Sequence, residues 1–250
     1  MNSIIESKIS SIRTAMCEAP RKTILSEPIR ATILALLTAL DTTSVSVTGG
    51  AETQESSSRT ERLVLEMLGV PQITKLKTKG TSVFSLPMLI GDYFGFKRVV
   101  EHDNTCRFVM PEQDGVYVIH QPYGSQANPD ILLLDIRNKT IVCQFGIEIK
   151  SGGPTWNTHI QFADRSMLYV AFKKKTHYFF GDHIRSKESL VFALAWDELQ
   201  RELATALNEK AKSSGLKNMC VPYPKQEFRG LDLEAGAEER HAEIKAWLTA

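Results

Sequence analysis

Apolar residues recur at helical spacing from Ile4 to Leu40, first at Ile4, Ile5, Ile9 and Ile12, then at Ile29, Ile33, Leu36, Leu37 and Leu40. Pro20 and Pro28 divide this run into two helices, because proline lacks the amide that a helix interior needs. Thr42 to Ser58 is rich in Ser, Thr and Gly and reads as a loop. Periodicity returns over Arg59–Leu68, where Leu63, Val64, Met67 and Leu68 share a face and Gly69 supplies a stop. Beyond it the pattern predicts a short helix around Leu86 to Phe94 and strands at Arg107–Met110 and Val116–His120. Ile131–Leu134 and Ile141–Ile149 are apolar runs of strand length, and the polar Arg137-Asn138-Lys139 between them makes a hairpin. Three more strands are expected at Met167–Phe172, Thr176–Phe180 and Leu190–Leu194. Asp197–Lys212 reads as an amphipathic helix with Leu199, Leu203, Ala206 and Leu207 inward. This order predicts an α/β or α+β fold, a sheet with helices packed against it and an N-terminal helical elaboration.

Composition narrows the classes. In 250 residues, 42% are hydrophobic and 24% charged, which excludes a disordered chain and a membrane protein. The 30 Lys and Arg nearly cancel the 29 Asp and Glu, so any attraction for a polyanion must come from local arrangement. Cys17, Cys106, Cys143 and Cys220 lie far apart and read as reduced thiols, which suits a cytoplasm better than a secreted scaffold. The run from Ala31 to Leu40 is too short to span a bilayer, and Asn138-Lys139-Thr140 reads as a turn rather than a glycosylation site. A soluble, cytoplasmic protein with no membrane partner is expected.

The hairpin carries the chemistry. With its turn near Asn138, Asp130 falls beside Glu148, and Glu148 and Lys150 share a face while Ile147 and Ile149 point into the core. Two carboxylates and an ammonium at one hairpin end suit metal-assisted phosphodiester hydrolysis. Asp130 and Glu148 would supply hard oxygen ligands to Mg²⁺, which activates a water and screens charge on the reacting phosphate. Lys150 would orient the attacking water and stabilise the transition state electrostatically.

Pro129-Asp130 followed by Glu148-Ile149-Lys150 resembles the PD-(D/E)xK nuclease signature. The flanks Gln121-Pro122-Tyr123-Gly124-Ser125-Gln126 and Lys150-Ser151-Gly152-Gly153-Pro154-Thr155-Trp156-Asn157 resemble those of type II restriction endonucleases. The specific likeness covers Gln121 to Asn157, with a weaker one through Tyr169–Phe180. It implies a restriction-endonuclease-like core, a central mixed sheet flanked by helices, filling one domain over 1–250 with the catalytic core at 58–215 between a helical 1–57 and an extension at 216–250. It also implies Mg²⁺-dependent cleavage of double-stranded DNA at a short specific sequence, 5′-phosphate products, a homodimer and a cognate DNA methyltransferase in a prokaryotic cell. Asp130 and Glu148 match the metal-ligand positions and Lys150 the catalytic lysine. Many members add an acid from an upstream helix, for which Glu61 is favoured over Glu66 because it sits in the first turn, away from the Leu63/Met67 stripe. The alternative for Glu61 is an exposed helix position.

Several segments are candidates for DNA contact. Lys173, Lys174 and Lys175, with His177, Arg185, Lys187 and the alternating Lys75, Lys77 and Lys79, could touch phosphates. Gln121, Tyr123, Ser125, Gln126, Ser151 and Trp156 flank the metal ligands, while Asn157, Gln161 and Arg165 carry groups suited to base edges. Neither a zinc centre, a phosphate-binding loop nor a Gly-x-Ser-x-Gly elbow competes. Two alternatives stand beside restriction: a structure-specific repair or recombination nuclease, and a catalytically inactive DNA-binding protein.

Overall fold

The computed structural model describes residues 2–15, 25–43, 54–77, 83–87, 89–90, 98–99, 105–124, 129–151, 167–172, 175–180, 183, 187–216 and 234–250. Its helices are α1 (Asn2–Ala15), α2 (Glu27–Thr42), α3 (Gln54–Leu68), α4 (Lys187–Ser213) and α5 (Ala237–Thr249). Strands β1 (Val83–Pro87), β2 (Leu89–Ile90), β3 (Arg98–Val99) and β4 (Thr105–Val109) form two small antiparallel pairs, β1 with β4 and β2 with β3. The main sheet has five strands in the order β5 (Gly115–His120), β6 (Ile131–Arg137), β7 (Thr140–Ser151), β8 (Leu168–Phe172) and β9 (Thr176–Phe180). β7 and β8 run parallel and the other neighbours antiparallel, so the class is α+β with a mixed sheet flanked by helices. Among the described residues, no helix is long and apolar enough to cross a membrane.

Both faces of the main sheet are covered, which is why Ile131–Leu134 of β6 and the whole of β8 are buried without alternation. On one face Ile131, Leu133, Phe145, Ile147, Ile149, Leu168 and Val170 pack against α2, α3 and α5. On the other, Ile119, Leu132, Leu134 and Ile136 meet Cys106 and Phe108 of β4 and Ile73. Helix α2 buries Ile29, Ile33, Leu36, Leu37 and Leu40, a single stripe, with Pro28 and Glu27 in its first turn. Each such side chain contributes about 1.5–3 kcal/mol on burial, more than any helix propensity. Helix α5 docks on β9, where the Tyr178 ring stacks on His241 at 3.6 Å and the Tyr178 amide donates to His241 Nε2 at 3.3 Å. Burial pushes His241 down to about 4, which keeps it a neutral acceptor.

Four expectations are corrected. Leu190–Leu194 is not a strand but part of α4, since a short apolar run is ambiguous by period and no turn residue separates it from the helix that follows. Within α4 the inward residues are Val191, Ala195, Ala204 and Ala211, whereas Leu203 is 61% and Leu207 44% exposed and Ala206 is exposed. Helix α1 lies along α4, with Lys8 paired to Glu198 and Glu202 at 3.1 and 2.7 Å. The short helix expected from Leu86 is replaced over its described part by β1 and β2, where pairing of Leu86 with Cys106 and of Pro87 with Thr105 overrides local propensity. Finally, α3 begins at Gln54, inside the stretch expected to be loop.

The β6–β7 hairpin turns at Asn138 and Lys139, whose φ values of 49° and 56° are those of a two-residue primed turn. Arg137 pairs with Thr140 and Ile136 with Ile141, but Asp135 pairs with Cys143, so Val142 is an extra residue, a bulge. From there the register runs to Ile131 opposite Ile147, and one step further sets Asp130 opposite Glu148. Were Val142 paired, Asp130 would oppose Ile147, and Glu148 would point to the other face. Deleting Val142 should therefore leave a folded hairpin with the same pairs on either side. Thermal unfolding should shift by only a few degrees, and a variant that fails to fold cooperatively would contradict this account of the register.

Candidate functional site

The site forms where β6 begins and β7 ends. Pro129 is buried and packs over Gly146 of β7, where a Cβ would lie 3.2 Å from both Pro129 Cβ and Cγ. That close approach fixes the residue that follows. Asp130 Oδ2 accepts the Ile149 amide at 2.7 Å, tying the carboxylate across to β7. Glu148 is 2% exposed, and its Oε1 pairs with Lys150 Nζ. Ile147 and Ile149 enter the core as the alternation requires. The structure thus brings Asp130, Glu148 and Lys150 together as the hairpin register predicts.

Burial dominates the electrostatics. Asp130 is raised to about 7, first by burial, then by Glu148, against the lowering effects of the Ile149 amide and Lys150. Glu148 is also raised by burial, against Lys150 and the Asp130 amide. Glu61 adds negative charge to both. Glu148 Oε2 is buried without a hydrogen-bond partner among the described residues. Two neighbouring acids that resist ionisation, one with an orphaned oxygen, are a donor set that a hard divalent cation fits. As the side chains stand, no three His, Cys, Asp or Glu among the described residues are grouped closely enough to hold a metal ion. Lys150 occupies one Glu148 oxygen and the Ile149 amide one Asp130 oxygen.

Glu61 is 4% exposed, so the exposed alternative does not hold, and the reason given for choosing it also fails. It lies in the second turn of α3, on the buried stripe it shares with Thr60, Val64 and Leu68. Its position three residues before Val64 and seven before Leu68 is the signal in the sequence, an acid where the stripe calls for an apolar residue. His120 was not singled out in the sequence. Its Nε2 donates to Glu61 Oε2 at 2.6 Å, and Gln121 Nε2 donates to the same oxygen at 3.0 Å. His120 ends β5 opposite Ile131, next to Asp130, a proximity that only the strand pairing reveals.

The remaining candidates fall unevenly. Lys75 Nζ donates to the Gln121 carbonyl at 2.7 Å, and Lys77 and Lys175 are exposed. Tyr123 is partly buried against the β4 side of the sheet, and burial raises its hydroxyl. Ser151 continues β7 opposite Phe172. His177 is withdrawn from the basic surface to which the sequence assigned it: it is 2% exposed, with Nε2 facing Glu234 at 3.2 Å. Ser125, Gln126, Trp156, Asn157, Gln161, Arg165, Lys173, Lys174, Lys79 and Arg185 lie outside the described residues. Compared with protein-family models, with curated proteins and with solved structures, the chain finds no match.

The raised Asp130 has a stability consequence. Its carboxyl moves from 3.8 to about 7 on folding, so its contribution is fully present below about pH 4 and is lost as pH rises through 7. Without divalent ions, the wild type should lose stability relative to Asp130→Asn across that window, and Ca²⁺ at pH 8 should narrow the gap. Paired melting curves from pH 4 to 8 check this. Parallel curves would show that Asp130 is an ordinary surface carboxylate.

Proposed function

We propose that this chain is a Mg²⁺-dependent nuclease that hydrolyses phosphodiester bonds of double-stranded DNA at a specific sequence, in the manner of the type II restriction endonucleases its motif resembles. The observation that carries this reading is the buried pair of Asp130 and Glu148, with one Glu148 oxygen lacking a hydrogen-bond partner among the described residues and Lys150 on the same hairpin end. Opposite-sign alternatives are poor, because two acids and Glu61 against one lysine make a site that repels a phosphate. Like charges about 4 Å apart repel by about 4 kcal/mol near a protein surface. Asp130 and Glu148 would hold the cation, with Glu61 as a third acid. When bound, it supplies charge neutralisation and an activated water.

The chain's own groups do the rest. Asp130 and Glu148 are held on neighbouring strands of a sheet buried on both faces, so they need little reorganisation when substrate arrives. The Ile149 amide fixes the Asp130 carboxylate plane. Lys150 is held by Glu148 with its side chain partly exposed, so its ammonium can reach a phosphate oxygen from the side open to solvent. There it opposes the charge that develops in the transition state. Exposed Lys77 and Lys175 are available for backbone phosphates, and the recognition contacts and two-fold partner expected of a restriction enzyme belong to the same reading.

Incubation of the purified protein with a sequenced plasmid and Mg²⁺ should give discrete double-strand fragments whose 5′-phosphorylated ends share one short sequence. Asp130→Ala should bring cutting below detection and Lys150→Ala should slow it about 10²–10³-fold, both with specific DNA binding retained in Ca²⁺. No cutting with either Mg²⁺ or Mn²⁺ would sink the nuclease reading. Ends clustered at branched or damaged positions would move the assignment to a repair nuclease.

A further inference from the structure

We propose that His120 and Gln121 are positioning residues that hold Glu61 as the third carboxylate of the Asp130–Glu148 site, an inference that rests on reading that site as a divalent-cation centre. Glu61 comes from α3, while Asp130 and Glu148 come from the sheet, so its carboxylate must be aimed across an element boundary. A glutamate has three rotatable bonds, and fixing such a side chain costs rotamer freedom. Two donors converge on one of its oxygens: His120 Nε2 at 2.6 Å and Gln121 Nε2 at 3.0 Å, both to Oε2. Converging donors set the plane of the carboxylate, as outer hydrogen-bond partners do for metal-ligating side chains.

Gln121 also ties Glu61 to the hairpin. Its backbone amide donates to the Asp130 carbonyl at 2.6 Å while its side chain donates to Glu61, so one residue is bonded to both acids' residues. The backbone at Gln121 has a φ of 44°, the left-handed region that a residue with a Cβ enters only at a steric cost. Lys75 Nζ holds the Gln121 carbonyl at 2.7 Å in that conformation. Strain of this kind persists where the surroundings impose it. The charge of Glu61 acts on both Asp130 and Glu148, although as the side chains stand the three are not grouped closely enough to hold an ion.

Calorimetric titration of the full chain with Mn²⁺ alone tests the clamp without relying on cleavage. Glu61→Gln should weaken Mn²⁺ binding at least tenfold, and His120→Leu combined with Gln121→Leu should weaken it about 10–100-fold. Added to Glu61→Gln, the two leucine changes should cost nothing further, because the group they position is already gone. His120→Gln, which keeps a donor, should recover most of the affinity lost by His120→Leu. In plasmid cleavage, the clamp variants should lower kcat with KM for DNA unchanged. Should the double leucine chain not fold, each single leucine variant carries the same cycle. The proposal is overturned if the leucine variants bind Mn²⁺ like wild type, or if their losses add in full to that of Glu61→Gln. Asp130→Asn separates the two levels: loss of binding there with no effect at the clamp rejects only the clamp. A wild type that takes up no Mn²⁺ rejects the site and the clamp together.

Discussion

Holding two carboxylates beside each other and away from water is the constraint around which this protein is arranged. Each acid resists ionisation because burial removes the solvent that would stabilise its charge, and each raises the other's cost. The surroundings offset part of that cost with the Ile149 amide on Asp130 and the Lys150 ammonium on Glu148. They leave Glu148 Oε2 without a partner, and Glu61 brings further negative charge. A cluster selected for stability alone would have exchanged these acids for apolar or amide side chains, since buried charge without full compensation destabilises a fold. The uncompensated charge is what the proposed cation would neutralise.

Such a cluster stays in place only on a rigid support. The sheet is buried on both faces along β6 and β8, with α2, α3 and α5 on one side and β4 on the other. Helices far apart in the sequence are part of this support: Ile33 and Leu37 of α2 share one core with Ile244 and Leu248 of α5. The polar contacts that dock α5 form a second cluster on β9. Tyr178 donates to Asp41 of α2 at 3.1 Å while Lys245 of α5 pairs with the same Asp41. Beside it, two acids of the C-terminal segment meet histidines, Glu234 at His177 and Glu243 at His183.

What was legible in the sequence follows from which forces are local. Strand lengths, the hairpin and the shared face of Glu148 and Lys150 rest on a period of two and on turn residues, and these are local. So is the single stripe of α2. The misreadings arise where distant packing decides. The leucines of α4 look like its inner face, but Ala195, Ala204 and Ala211 are the buried ones, and α4 packs against α1. β1 forms because β4 is there to pair with it. The place of Glu61 follows from how α3 lies on the sheet, which buries it, and not from a position in the first turn. His120 reaches the site only through the pairing of β5 with β6, which no spacing along the chain displays.

The bulge at Val142 gives the hairpin two reading frames, one for the turn and one for the acids. Between Asn138 and Ile141 the strands keep the parity of a two-residue turn; beyond Cys143 they keep the parity that sets Asp130 opposite Glu148. The acids are therefore insulated from the turn. A chain that gains or loses one residue between them can restore the frame by adding or dropping a bulge, with the chemistry undisturbed. The number of residues separating an aspartate from its partner glutamate in such a hairpin is thus free to be odd or even. What is conserved physically is the final frame, and a search for this arrangement by fixed spacing would pass over chains that reach it by a different count.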